Sequence, residues 1–470
     1  MSSWFDPVFL SRIQFAFVIA IHIIFPTLTI GLASWLVVLE GLWLKTKHPI
    51  YKEICLHWIK IFSVTFGMGV VSGVVMSYQF GTNWAGFVHK VGNVVGPLLT
   101  FEVLTAFFLE SSFLGVMLFG WNKVSPRMHF FATLMVAIGT ITSAFWILSV
   151  NSWMQTPAGY MIDQAGIFFP TDWFEIIFNP SFKFRFSHML LATYLTTAFV
   201  VAAVSSWYIL KTKFLPHAKI MLTMSMLLTL ALMPLQILVG HAHGQNTAKY
   251  QPLKAAAIEG IWETEHGANL NLIGFPDQKN ETTKYAIQIP KLASYMLHGD
   301  INSEVQGLKN WPRAQRPPVA LVFFSFRIMV GIGLIMFSVS LWSLYQYLNR
   351  KLYQPNIFHK ICVLTGPLGF IAIICGWITT EVGRQPYIVY GELLTSKASS
   401  AVSATQVSIS LGLFVSIYCI VFGAGIYYIF KLIKQGPKAG NWHDQYGTHG
   451  LENPITLSDI FLKKDLKFNA

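Results

Sequence analysis

The chain has 470 residues and a mass of 52.9 kDa, and only 11% of its residues are charged while 54% are hydrophobic. Soluble domains carry about 25% charged residues, so these numbers, with a mean hydropathy of +0.52, exclude a soluble globular protein and indicate a polytopic membrane protein. The net charge of +12 needs no nucleic acid, because membrane proteins collect Lys and Arg on one side, and four cysteines without a CxxC pair argue against zinc, iron–sulfur or disulfide frameworks.

A helix needs about 20 apolar residues to cross the hydrocarbon. In chain order, nine segments qualify: 15–44, 59–80, 97–121, 128–150, 188–210, 220–240, 319–347, 361–381 and 405–430. The first is overlong and contains Pro26, which predicts a tilt or kink. Met1–Pro7 lacks the basic region of a cleavable signal peptide. The expected fold is therefore all-α: a membrane bundle with spans one to six in 1–241, a polar outer loop in 242–318, spans seven to nine in 319–430, and a tail in 431–470. No convincing internal repeat is visible.

Loop charge sets the orientation. The loops after odd-numbered spans hold 15 Lys and Arg residues, and the opposite side holds 6. The N-terminus and the 242–318 loop are expected outside, and the C-terminus inside.

Ionisable groups at membrane depth are costly and mark function. They are His22, Glu102, Glu110, His188, Arg327 and Glu381, with Met329 as a soft ligand. A lone buried His is more often a hydrogen-bonded core residue. Two His, a Met and a Glu on four different spans instead resemble a set of haem axial ligands. His with Met gives a low-spin, six-coordinate iron, while a single His or carboxylate leaves a position for oxygen. Arg327 and Arg384 need anions, and haem propionates would serve. Trp377 lies one turn before Glu381 on the same helix face. It is either core filling or a residue lying between two cofactors. Glu102 and Glu110, about 12 Å apart along one helix, read either as an isolated pair of hydrogen-bonded carboxyls or as a proton relay.

Six motifs then appear in order: Ser11-Arg12-Ile13-Gln14-Phe15, Gln79-Phe80-Gly81-Thr82-Asn83-Trp84, Phe107-Phe108-Leu109-Glu110-Ser111, Trp153-Met154-Gln155, Phe326-Arg327-Ile328-Met329 and Gly383-Arg384-Gln385-Pro386. Together they resemble subunit I of the cytochrome bd-type quinol oxidases, over residues 9 to 430. The resemblance implies that His188 and Met329 bind a low-spin haem b. It also implies that His22 and Glu381 bind two high-spin haems, either b and d or both b, without saying which ligand holds which. Glu102, Glu110 and Ser111 match proton-supply positions, and Arg384 and Trp377 match residues beside the high-spin pair. The 242–318 segment resembles the family's quinol-oxidising Q loop, with Lys254 and Glu259 as its signature. Taken alone, Lys254–Glu259 reads as an exposed amphipathic helix. The loop is short, as in the cyanide-insensitive branch, and His241 and His243 stand where many relatives begin the loop with Gly-Asp. A His-x-His metal site is a further reading of that pair.

The implied function is a terminal oxidase subunit of the bacterial inner membrane. It would oxidise quinol at the outer face, reduce O2 to water and build proton-motive force. The implied partners are subunit II, small single-span subunits, quinol, O2 and membrane lipid. The alternatives are a haem-bearing electron carrier that does not reduce oxygen, and a transporter. The carrier should show paired His on shared helices, and the transporter discontinuous helices or inverted repeats.

Overall fold

The computed structural model describes residues 6–437. Most of the tail assigned to 431–470 lies outside the described residues. Fifteen helices form the framework. They are α1 (Pro7–His22), α2 (Ile24–Thr46), α3 (Pro49–Thr82), α4 (Ala85–Glu102), α5 (Phe108–Phe119), α6 (Pro126–Gln155), α7 (Trp173–Ile177), α8 (Phe182–Leu210), α9 (Leu215–Tyr250), α10 (Pro252–Glu259), α11 (Leu292–His298), α12 (Val319–Leu348), α13 (Ile357–Thr365), α14 (Leu368–Val382) and α15 (Ala404–Gln435). Among the described residues, nine helical segments are long and apolar enough to cross a membrane. The eight strands are short. The longest pair, β4 (Leu270–Asp277) and β5 (Thr282–Ile289), makes an antiparallel hairpin in the 242–318 loop.

Local chemistry sets the helix starts. Asp6 caps α1 by accepting from the Phe9 amide, Ser125 caps α6, and Ser403 with Gln406 forms a capping box for α15. Proline opens α1, α3, α6 and α10, where its missing N–H costs nothing.

The kink expected in the first span is a break at Ile23. Pro26 cannot donate to the carbonyl four residues back, and its ring clashes there. That carbonyl belongs to His22, so the proline leaves His22 as the last residue of α1. The sixth span differs from the sequence expectation at its end. α9 runs on through Gly240-His241-Ala242-His243-Gly244 to Tyr250, because Asn246, Thr247 and Ala248 are buried and hold the helix in place.

The core lies where α2, α3, α8 and α9 meet, around Leu32, Leu36, Trp58, Phe62, Phe199 and Met221. Small residues let these helices approach. A Cβ on Gly31 would stand 2.1 Å from Thr197 Oγ1, and one on Gly369 would stand 2.4 Å from Thr196 Oγ1. α15 packs on α1 and α3 and leaves Ile409, Leu413, Ile420, Tyr427 and Phe430 facing outward.

Candidate functional site

α6 is a common support for four glutamates. They come from four other segments and meet α6 in order along the helix.

At one end, Glu40 of α2 is fully buried, with Oε1 2.6 Å from His129 Nδ1 and Oε2 accepting from Thr133 Oγ1 at 2.7 Å. His129 Nε2 donates to the Met117 carbonyl at 3.1 Å. Every polar atom of this cluster has a partner. Neither Glu40 nor His129 was singled out from the sequence, although Glu40 sits inside a predicted span and the rule applied to Glu102 also covers it.

Further along, Glu110 is buried and packs on Gly139, where a Cβ would stand 2.5 Å from its Cγ. Glu102 accepts from Ser143 Oγ at 2.7 Å. Gly139 and Ser143 are four residues apart, on one face of α6. Between the two glutamates, Val103–Phe107 forms a π turn. In a regular helix, eight residues rotate the second carboxylate by about 80° from the first. A π turn takes up one extra residue, and the offset falls to about 20°, which aims both carboxylates at α6. Ser111, placed with them by the sequence, is exposed, and its hydroxyl donates to the Phe108 carbonyl at 3.3 Å. One residue past Glu110 the helix has turned by about 100°, so the structure does not bring Ser111 into this pair.

At the other end of α6, Asn151 Nδ2 and Gln155 Nε2 donate to Glu381 Oε1 at 2.9 and 3.1 Å, and Arg384 donates to its other oxygen. Trp377 is half-buried on α14, one turn before Glu381. Gln155 also faces the 242–318 loop. Its Oε1 accepts from Lys254 Nζ at 2.5 Å, and Gln251 Oε1 accepts from the same ammonium at 2.5 Å. Lys254 is 2% exposed and Glu259 5%, so α10 is buried and not the exposed amphipathic helix its sequence suggests in isolation. Burial pushes the Lys254 ammonium well below the ordinary lysine range. Arg185 adds to that shift and Glu381 opposes it.

Lys254 and Glu259 do not pair with each other. Glu259 Oε2 accepts from Arg327 Nη2 at 2.8 Å, and Arg327 also donates to the carbonyls of Asn271 and Ile258 while stacking 4.0 Å over Phe323. An anion for Arg327 is thus supplied by the loop itself. A cleft of about 530 Å³ reaches α10 at Pro252 and Ala255.

His22, His188 and Met329 stand on separate helices. Ser72 Oγ lies within 3.0 Å of the Met68 and Gly69 carbonyls, which take its proton. It therefore accepts from His22 Nδ1 at 2.9 Å and leaves Nε2 as the free lone pair. His188 on α8 has the Gln236 amide nitrogen 3.3 Å from its Nε2, and its ring centre is 5.6 Å from that of His243 on α9. Met329 on α12 faces Gly376 of α14.

These surroundings suit a large flat macrocycle. Each of the three side chains abuts a glycine: a Cβ on Gly73, Gly240 or Gly376 would lie 3.3, 3.2 or 2.9 Å from His22 Cε1, His188 Cε1 or Met329 Sδ. The buried donors Arg384 Nε and Nη1 and Arg185 Nε have no hydrogen-bond partner among the described residues, as expected where carboxylates of a bound group would complete them. Groups of three or more His, Cys, Asp or Glu able to hold a bare metal ion are absent among the described residues.

The family described as cytochrome bd terminal oxidase subunit I matches residues 10–437. The chain is 33% identical to cytochrome bd-II ubiquinol oxidase subunit 1 of Escherichia coli (strain K12), over 92% of this chain and 98% of that one. It is 34% identical to cytochrome bd ubiquinol oxidase subunit 1 of Bacillus subtilis (strain 168), over 93% and 95%. The solved bd oxidase of Geobacillus thermodenitrificans superposes with a TM-score of 0.87 at 30% identity, covering 93% of this chain and 100% of that one. The chain is therefore a multi-pass membrane protein and a subunit of a haem-containing terminal quinol oxidase that works with a subunit II, and it belongs to the cytochrome bd terminal oxidase subunit I family.

Proposed function

We propose that this subunit oxidises quinol at an outer-face site built on α10 and passes the electrons to haems held by His188, Met329, His22 and Glu381. The observation that carries the reading is Gln155, which accepts from Lys254 of the loop and donates to Glu381. Two hydrogen bonds thus link the quinol-facing helix to a haem ligand, with no intervening layer.

Haem supplies the electron and oxygen chemistry when bound; the protein supplies ligands, spacing and proton access. His188 and Met329 would hold a low-spin haem b, since His/Met ligation gives a six-coordinate iron of raised potential. His22 and Glu381 would hold the two high-spin haems, b with d or both b. His22 offers Nε2 with its other nitrogen fixed by Ser72. Arg384 balances the Glu381 carboxylate, and Trp377 packs beside it.

Quinol loses two protons and two electrons. Glu259, paired with Arg327, is the carboxylate able to receive a proton at the loop, and Lys254 orients the quinol oxygen. In this reading Arg327 is a tether that fixes Glu259 and the β4–β5 hairpin over α12. Protons leave on the outer side. Reduction of one O2 to two H2O takes four protons, drawn from the inner side past Glu110 and Glu102, whose side chains share one face of α6. This vectorial chemistry builds proton-motive force without a pump. The N-terminus and the 242–318 loop face outward and the C-terminus inward, as the loop charge implies. Subunit II, small single-span subunits and lipid would cover the apolar outer faces.

Lys254→Ala in the assembled complex tests this reading. Quinol-dependent oxygen consumption is expected to fall by roughly 10²-fold, with optical haem spectra unchanged. Loss of haem at full subunit assembly would show that Lys254 serves the cofactor and not the quinol.

A further inference from the structure

Arg185 takes no part in the proposed quinol or proton chemistry. It lies on α8, one turn before His188 and on the same face. It is 7% exposed, its Nε has no hydrogen-bond partner among the described residues, and it forms no ion pair among them.

Its electrostatic neighbours are Glu381, Arg384 and Lys254. Glu381 already accepts from Arg384, Asn151 and Gln155. Arg384 still has Nε and Nη1 unpartnered, and Lys254 contacts only amide oxygens. Two guanidiniums and the Lys254 amine therefore surround one carboxylate in a buried setting. Uncompensated buried charge is strongly unfavourable, so the cluster requires further anions. Guanidinium forks match carboxylates bidentately.

We propose that Arg185 holds a propionate carboxylate of the haem bound by His188 and raises that haem's reduction potential. The inference rests on the reading that His188 binds haem. Being three residues from His188 on one helix, Arg185 stays at the edge of whatever group that imidazole holds. A fixed positive charge there favours the ferrous state, which has one positive charge fewer. Arg185 is thus a positioning and potential-setting residue, and His243 on α9 closes the same corner.

The test is an anaerobic redox titration of the low-spin haem in the assembled oxidase, comparing wild type, Arg185→Gln and Arg185→Lys. Arg185→Gln is expected to lower the equilibrium constant for reduction at least tenfold, which is 59 mV for a one-electron couple. Arg185→Lys should recover most of that shift, and the low-spin band shape should persist in both. Loss of the haem in Arg185→Gln with retention in Arg185→Lys would also support the proposal, since charge is then what holds the group. A wild-type titration of Arg185→Gln would overturn it, as would equal haem loss in both variants at full assembly. It would also be overturned if the counter-anion were a lipid phosphate, because the potential would then not move. His188→Ala separates the two levels. A low-spin haem that survives that change removes the ligand assignment, whereas loss there beside a wild-type Arg185→Gln titration removes only the Arg185 role.

Discussion

Met329→Leu in the assembled oxidase is expected to convert the low-spin haem to a high-spin, five-coordinate state with little loss of fold. The thioether is the only soft ligand proposed for this haem, and leucine offers no donor atom. The side chains are close in volume, and such swaps usually cost under about 1.5 kcal/mol. Met329 Sδ faces Gly376, so at that point the δ-methyls of leucine meet a residue without a side chain. Loss of the methionine should also lower the potential, because His/Met ligation raises it, and quinol-dependent turnover should fall. Optical and electron paramagnetic resonance spectra read the spin state directly. An unchanged low-spin signal would remove Met329 from the ligand set.

Glu110→Gln is expected to cut oxygen consumption by roughly 10²-fold while leaving haem content and reduction by quinol intact. The amide is isosteric, so packing against Gly139 survives and only the exchangeable proton is lost. Glu102→Gln should act in the same direction. Because the π turn at Val103–Phe107 aims both carboxylates at one face of α6, the double variant should cost little more than either single one, as expected for groups in series. Wild-type turnover in Glu110→Gln would place the proton path elsewhere.

The nine spans were readable because each is a long apolar run, and the break near Pro26 followed from the ring's clash with the carbonyl four residues back. The helix ends were not readable. α9 continues to Tyr250 through Gly and His residues that tertiary contacts with α8 hold helical against their propensity. The alignment of Glu102 with Glu110 depends on a π turn that has no sequence signature. Lys254 and Glu259 suggested an exposed amphipathic helix, yet each is buried and finds a partner on another element: Gln155 of α6 and Arg327 of α12. Such partners are set by packing between distant segments, which spacing along the chain does not encode. Glu40 and Arg185 were accessible by the rule that buried charges signal function, but one lies near a span end and the other just before the fifth span, among residues read as a loop.

The central claim is that this chain carries one closed and two open haem irons, and the most direct measurement is a reduced-minus-oxidised optical spectrum of the purified complex, repeated with carbon monoxide. The account predicts low-spin b bands that ignore carbon monoxide beside a high-spin signal that responds to it, with a red chlorin band only where haem d is present. Haem bands with no carbon monoxide response would contradict it and indicate an electron carrier closed to oxygen.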